Sequence, residues 1–373
     1  MKKGAVINGY TILANATNAN AGMSEWTFAE KRVGETRREY FIKRFLRPVY
    51  LDDSAAAPEA VKQKKRAECE RFEAHHRRVI SALKAITHEE GNLNVPVEIF
   101  RFGNHYYKVT RKVDVSNLTP EQIAALDFRQ KLVILKTSAN SLKILHDKGI
   151  VHGDLKPTNI LIKRTEANIY TTKLIDFDNA YFEGEPPENP EELIVDAVYA
   201  SPEQYLYMKG TATTRHLTTL SDIFTLGLIY HQYLTGEMPA YNTGKYRYPY
   251  QAVLNGDTLM ISPSIEPPEL NAVLSQMLRF QPSERPMITD VVNALMAIRV
   301  ERMEVKPPAL APPPVTPEST AVTIRPMKKR ETGSMPASPT EPVSPPASAP
   351  DDDSLPPAPA EPTIRPMRKR GET

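Results

Sequence analysis

The sequence predicts an α+β fold followed by a tail that stays unfolded, and three observations carry that reading. Short runs rich in aromatic and β-branched residues, among them Tyr10-Thr11-Ile12-Leu13 and Tyr40-Phe41-Ile42-Lys43-Arg44-Phe45, gather between residues 1 and 115 and read as strands. Farther on, Leu132, Leu135, Ala139, Leu142 and Leu145 recur at three- and four-residue steps, which gives a helix with one buried face. About half of the 34 prolines crowd beyond residue 300, so the folded chain is expected to end near there.

Composition narrows the function classes. A chain of 373 residues has ample length for a core in two lobes before the tail. The net charge of only +2 gives no global argument for nucleic acid or for a membrane surface. The single cysteine, Cys69, excludes an intrachain disulfide and fits a reducing compartment. No apolar run approaches the ~20 residues of a membrane span, and no signal-peptide core follows Met1-Lys2-Lys3. A cytoplasmic chain is expected.

The elements follow in order. Tyr10–Leu13 and Glu25-Trp26-Thr27-Phe28-Ala29 frame an Asn/Ala/Gly turn, and Tyr40–Phe45 is the third strand. From Pro58 to about Ile86 the pattern is helical and very charged. Pro96-Val97-Glu98-Ile99-Phe100 and Tyr106-Tyr107-Lys108-Val109-Thr110 read as the next two strands. The helix through Leu145 then delivers Val151-His152-Gly153-Asp154-Leu155-Lys156-Pro157-Thr158-Asn159-Ile160-Leu161. Gly153 and Pro157 forbid continuous helix, so this is a structured loop that sets His152, Asp154, Lys156 and Asn159 between two apolar runs. Ile160-Leu161-Ile162 is a buried strand, Lys173-Leu174-Ile175-Asp176-Phe177-Asp178 a strand and turn, and the amphipathic helices through Ile298 are core.

The loop and the turn at Asp176 together resemble the catalytic loop H-x-D-L-K-P-x-N and the metal-binding turn of eukaryotic-like (bacterial-type) serine/threonine protein kinases. The resemblance covers roughly residues 8–300 and implies a two-lobed, protein kinase-like fold. A small β-rich N-lobe would span 1–115, a larger helical C-lobe 116–300, and the disordered Pro-rich tail 301–373. It implies transfer of the γ-phosphate of ATP, with Mg²⁺, to Ser or Thr hydroxyls of protein substrates, and autophosphorylation. By the same resemblance Asp154 is the catalytic base, Lys156 steadies the transferred phosphoryl group, and Asn159 and Asp176 hold metal. Lys156 two residues after the aspartate is the Ser/Thr form. Lys43 would reach the nucleotide phosphates, with Glu73 facing it, or Glu70 as the alternative. Thr110 would be the gatekeeper, Arg111-Lys112-Val113 the hinge whose backbone meets adenine, and Leu161 the floor of the adenine site. Tyr199-Ala200-Ser201-Pro202-Glu203 would close the activation segment on Arg285, and Asp222 would hold the catalytic-loop backbone.

Several positions depart from the pattern. Ala19, Ala21 and Ser24 align with the phosphate-loop glycines, and Gly22 is the only glycine inside the turn. All are small, so the backbone can still approach phosphates. Trp26 and Phe41 replace the usual valine and alanine of the adenine roof, which narrows the pocket or changes how the base stacks. Asp178 stands for a glycine and is expected to tolerate a left-handed backbone. Gly153 stands for the arginine that reads an activation-loop phosphate, which makes this a non-RD (HGD) variant. Between Phe177 and Ala200 there is no Ser or Thr, only Glu183, Glu185, Glu188, Glu191 and Glu192 among other residues. Phosphate receptor and ligand are missing together, so activity is expected not to depend on Ser/Thr phosphorylation there. Asp196 either pairs with Lys156 or marks a site remodelled away from catalysis. The alternative to an enzyme is a pseudokinase, a nucleotide-binding scaffold acting through its tail. A small-molecule phosphotransferase is disfavoured by the Ser-Pro-Glu segment and its arginine. In the tail, Thr323-Ile324-Arg325-Pro326-Met327-Lys328-Lys329-Arg330 recurs as Thr363-Ile364-Arg365-Pro366-Met367-Arg368-Lys369-Arg370. The repeat suggests docking motifs, with Thr323 and Thr363 phosphorylated and read by a phosphothreonine-binding, forkhead-associated (FHA-type) partner.

Overall fold

The computed structural model describes residues 1–19, 23–87, 91–116 and 118–299. Gly22 and Ala21 of the candidate phosphate loop lie outside the described residues, as do Thr323 and Thr363. The first lobe is an antiparallel sheet of β1 (Val6–Ile7), β2 (Tyr10–Ile12), β3 (Ser24–Val33), β4 (Thr36–Phe45), β5 (Glu98–Phe102) and β6 (His105–Arg111). Its spatial order is β1-β2-β3-β4-β6-β5. The strand β1 has a local signal in Asn8-Gly9: both residues have positive φ, 48° and 80°, which makes the tight hairpin that pairs Ile7 with Tyr10. Helix α1 (Glu59–Ile86) lies between β4 and β5 in the chain and buries Cys69, His76, Val79, Ile80 and Leu83.

The second lobe is helical. It contains α2 (Pro120–Ala124), α3 (Phe128–His146), α4 (Pro202–Met208), α5 (Leu220–Thr235), α6 (Pro249–Leu254), α7 (Pro268–Met277) and α8 (Ile288–Ala297). Two short antiparallel ribbons complete it: β7 (Ile150–Val151) with β10 (Tyr181–Phe182), and β8 (Ile160–Arg164) with β9 (Tyr170–Leu174). The predicted apolar face of α3 is buried as read, with Leu135, Ala139, Leu142 and Leu145 at 0 % exposure against Ile223, Leu226 and Ile229 of α5 and Val291 of α8. Asp127 caps α3 by accepting from Gln130 N at 2.9 Å. The helix therefore starts at a fixed point and is packed along its buried face to Leu145, and β7 then passes the chain into the polar loop. Among the described residues no helix is long and apolar enough to cross a membrane.

Candidate active site

The loop after β7 is held from below by Asp222 in the first turn of α5. Its carboxylate accepts from the backbone N–H of His152 at 2.7 Å and of Gly153 at 3.1 Å, and from His146 Nε2 at 3.0 Å. His152 Nε2 donates to the Ile175 carbonyl at 3.0 Å, which ties the loop to the strand end before Asp176. On this frame Asp154, Lys156 and Asn159 converge. Lys156 Nζ lies 3.0 Å from Asp154 Oδ2, and Asn159 Nδ2 donates to the Asp154 carbonyl at 2.8 Å. That leaves the Asn159 side-chain oxygen as the atom it can offer a cation. Burial pushes the Asp154 carboxyl above the ordinary aspartate value, with Lys156 opposing.

Asp196 does not pair with Lys156. Its backbone N–H donates to Asp154 Oδ1 at 3.2 Å while its own carboxylate accepts from Val198 N at 3.0 Å. The segment before Tyr199 thus contributes a backbone donor to the Asp154 carboxylate, which side-chain motifs do not reveal.

Across the cleft, Lys43 on β4 and Lys108 on β6 stand directly opposite each other in the sheet. Opposed residues of an antiparallel pair point to the same face, and both lysines are buried, at 8 % and 3 % exposure. Two carboxylates meet them. Lys43 Nζ lies 3.0 Å from Asp176 Oδ2 and 2.7 Å from Asp178 Oδ2. Lys108 Nζ lies 2.6 Å from Asp176 Oδ1 and also bonds Asp178 Oδ1. Burial raises the Asp176 carboxyl, but Lys108 and then Lys43 outweigh it and hold the group well below the usual carboxylate range. Lys108 was not singled out from the sequence, although its spacing of two from Thr110 places it on the inner face of the strand.

Two expectations are corrected here. Glu73 does not face Lys43: its carboxylate takes Arg77 at 2.6 Å, one helical turn on, and Tyr106 Oη at 3.3 Å. Glu70 is exposed. The reason is packing, because Phe72 and His76 fill the helix–sheet space. Phe72 lies tilted against His76 with centroids 4.1 Å apart and meets Phe45 at 5.0 Å and Tyr106 at 5.1 Å. The left-handed residue of the turn is Asp176, with φ 63°, and not Asp178, which sits in a 3₁₀ turn spanning Phe177–Asn179.

The adenine-site candidates share the sheet face of Lys43. Thr110 is buried opposite Phe41, and Phe41 stacks on Trp26 at 5.3 Å with Phe28 edge-on to both. The roof is therefore a half-buried aromatic trio, pinned by Trp26 Nε1 donating to the Ala19 carbonyl at 2.9 Å. Val113 is half-buried in the hinge and Leu161 half-buried on β8.

The segment that runs to Glu203 ends on a buried anchor. Arg285 makes a bidentate pair with Glu203, at 2.6 and 2.9 Å, and also donates to the carbonyls of Arg279, Leu220 and Phe280. Removing one partner of such a buried pair typically costs about 3–5 kcal/mol. A profile of the protein kinase domain matches residues 37–295.

The chain belongs to the protein kinase domain family.

Members of this family generally use ATP and Mg²⁺. The chain is similar to Serine/threonine-protein kinase A of Synechocystis, with 30 % identity over 165 residues, 43 % of this chain and 30 % of that protein. PknB of Mycolicibacterium smegmatis, another serine/threonine-protein kinase, is 30 % identical over 164 residues, 42 % of this chain and 24 % of the relative. The serine/threonine-protein kinase drp72 of Corynebacterium efficiens is 28 % identical over 225 residues, 59 % of this chain and 41 % of the relative. In each case the matched part spans less than half the length of the relative.

Proposed function

We propose that the chain is a serine/threonine protein kinase that transfers the γ-phosphate of ATP to hydroxyls of protein substrates with Mg²⁺. The observation that carries this is the convergence of Asp154, Lys156 and Asn159 on one braced loop facing an ionised Asp176 and a buried Lys43. The donor set fits the metal. Asp176 and Asn159 offer hard oxygens, and no cluster of three or more His, Cys, Asp or Glu that could hold a metal is found among the described residues. Mg²⁺ is commonly held by one or two protein oxygens, with phosphates and water completing its shell. Bound there, Mg²⁺ would neutralise charge building on the phosphates.

The chain's own residues do the rest. Asp154 accepts the proton of the substrate hydroxyl as that oxygen attacks. Lys156, already beside Asp154, offers a cation to the transferred group. Lys43 turns from Asp176 to the nucleotide phosphates. All four groups expected for the chemistry (Lys43, Asp154, Asn159 and Asp176) are present, so no observation favours a binding scaffold without turnover. The test is incubation of the full chain with labelled ATP, Mg²⁺ and a generic Ser/Thr protein substrate, beside Asp154→Asn. Label in the parent that disappears in the variant supports the reading; equal label in both overturns it.

Activity on this reading does not depend on a Ser or Thr phosphate in the activation segment. His75 Nε2 lies 2.9 Å from the Ala180 carbonyl, the Arg78 guanidinium covers Phe182 at 4.0 Å, and Arg78 pairs with Glu185. Glu183 accepts from Thr219 N at 3.3 Å. Resident glutamates thus make contacts of the kind that a phosphate makes elsewhere. The Tyr181 side chain is wholly buried, so it is closed to modification while the segment is seated. Mapping phosphosites on the active protein from the same incubation checks this, an essential phosphate between residues 177 and 200 being the contrary result.

The tail repeats fit autophosphorylation at Thr323 and Thr363 and capture by a phosphothreonine-binding, FHA-type partner. Two sites on one tether raise the effective concentration for a bivalent reader. A Thr323→Ala/Thr363→Ala chain is expected to lose tail phosphate and binding to an isolated FHA domain; unchanged binding removes the idea.

A further inference from the structure

The Lys43–Lys108–Asp176–Asp178 cluster holds one more cation and one more anion than the proposed chemistry uses. Asp176 is the metal candidate and Lys43 the phosphate candidate. Once both turn to a nucleotide, Asp178 and Lys108 remain, buried and bonded to each other. The Asp178 side chain is 11 % exposed and bridges the lysines, 2.7 Å from Lys43 through one oxygen and bonded to Lys108 through the other. Asp176 also touches both lysines, but as the metal candidate it turns to the nucleotide; among the described residues no further carboxylate bridges them. Glu73 is committed to Arg77 and Tyr106. At the next turn of α1 stands His76, which is buried, and burial lowers it to about 4, so it is neutral near pH 7 and supplies no anion. The backbone at Asp178 has no positive φ that would call for a glycine, so the position is used for its side chain.

We infer that Asp178, braced by Lys108, is the anion that positions Lys43 for nucleotide phosphates, in place of a carboxylate on helix α1. Lys108 is a positioning residue acting through Asp178. The alignment of Lys43 then follows the Asp176–Asp178 turn and does not depend on a salt bridge to α1. A lysine mis-set by loss of this close ion pair is expected to slow transfer about ten- to hundredfold, about 1.4–2.8 kcal/mol in the barrier.

This inference rests on the kinase reading, and its test separates the two. The isosteric Asp178→Asn, the Lys108→Met and the Glu73→Gln variants of the full chain are compared with the parent. The first readout needs no nucleotide: acetylation of Lys43 by limiting acetic anhydride, followed by peptide mass spectrometry. An ammonium relieved of its carboxylate gives up its proton more readily, so Lys43 is expected to react about three- to tenfold faster in Asp178→Asn and at the parental rate in Glu73→Gln. The second readout is turnover. Asp178→Asn and Lys108→Met are expected to lower kcat about ten- to hundredfold with the KM for ATP changed less than about threefold. The double variant should be no worse than the worse single one, as for residues acting as a unit. Glu73→Gln should stay within about twofold. Parental Lys43 reactivity in Asp178→Asn, or a loss in Glu73→Gln as large as in Asp178→Asn, overturns the inference. A parent that transfers no phosphate defeats the kinase reading, while the acetylation result still decides the role of Asp178.

Discussion

Asp154→Asn is expected to lower phosphate transfer by about 10²–10⁴-fold, the usual contribution of a general base, without weakening the fold. The variant keeps size and shape but cannot take a proton. Its effect on binding should be small, because Lys43, the phosphate candidate, contacts Asp176 and Asp178 and not Asp154. The effect on stability follows from the direction of the pKa shift. Burial raises the Asp154 carboxyl above its ordinary value, so its ionised form is disfavoured in the folded protein relative to the unfolded chain. Any stability linked to its proton is present below the unfolded pKa and is lost as pH rises through the folded one. At neutral pH the neutral amide removes that strain, offsetting the lost contact with Lys156, and the thermal midpoint should not fall. The same shift shapes the parent's pH profile: kcat/KM rises with pH as Asp154 ionises, and its acid limb lies above the ordinary aspartate value. A variant that keeps more than a tenth of parental turnover, with the acid limb intact, would place the base elsewhere.

How much of this was legible in the sequence differs between the two walls of the site. The catalytic loop is a local object. Gly153, Pro157 and the flanking apolar runs dictate a loop on rigid supports, and its polar residues bond mainly one another and the loop backbone. Such a unit can be read in order along the chain. The opposing wall is assembled from β4, β6 and the Asp176 turn, far apart in sequence, and depends on strand register. A shift of one residue in the pairing of β4 with β6 would have turned Lys108 outward. Within the strand the only mark on Lys108 is its spacing of two from Thr110, and that spacing points inward only once the register is known. The Glu73 assignment failed for a related reason. Helix α1 carries many charges, and which of them faces the sheet was decided by where Phe72 and His76 packed, a tertiary choice among similar local options. Asp178 was read for its backbone, as a substitute for glycine, whereas its buried side chain meets Lys43 and Lys108.

Gly153→Arg restores the residue common in related loops and is expected to cost about 3–5 kcal/mol of stability, most of it from backbone overlap and the burial of an unpaired cation. Gly153 has φ +79°, and a Cβ built there would lie 2.4 Å from the Asn179 carbonyl oxygen and 3.1 Å from the Tyr181 ring. Neither neighbour can yield cheaply. Asn179 belongs to the same 3₁₀ turn as Asp178, and Tyr181 is wholly buried in the ribbon that pairs β10 with β7. The Gly153 carbonyl also accepts from Gln204 Nε2 at 3.0 Å, so the loop cannot back away without breaking a buried bond to α4. The glycine is therefore a consequence of how closely the activation segment is seated, and an arginine that could read a phosphate has no room beneath it. Gly153→Ala isolates the Cβ and should cost less, about 1–3 kcal/mol. Chemical denaturation of the three proteins orders them as parent, alanine, arginine. Should Gly153→Arg unfold at the parental midpoint and remain active, the close seating of the segment on the loop would not be what excludes the arginine, and the glutamate contacts at Arg78 and Thr219 would lose their claim to stand in for a phosphate.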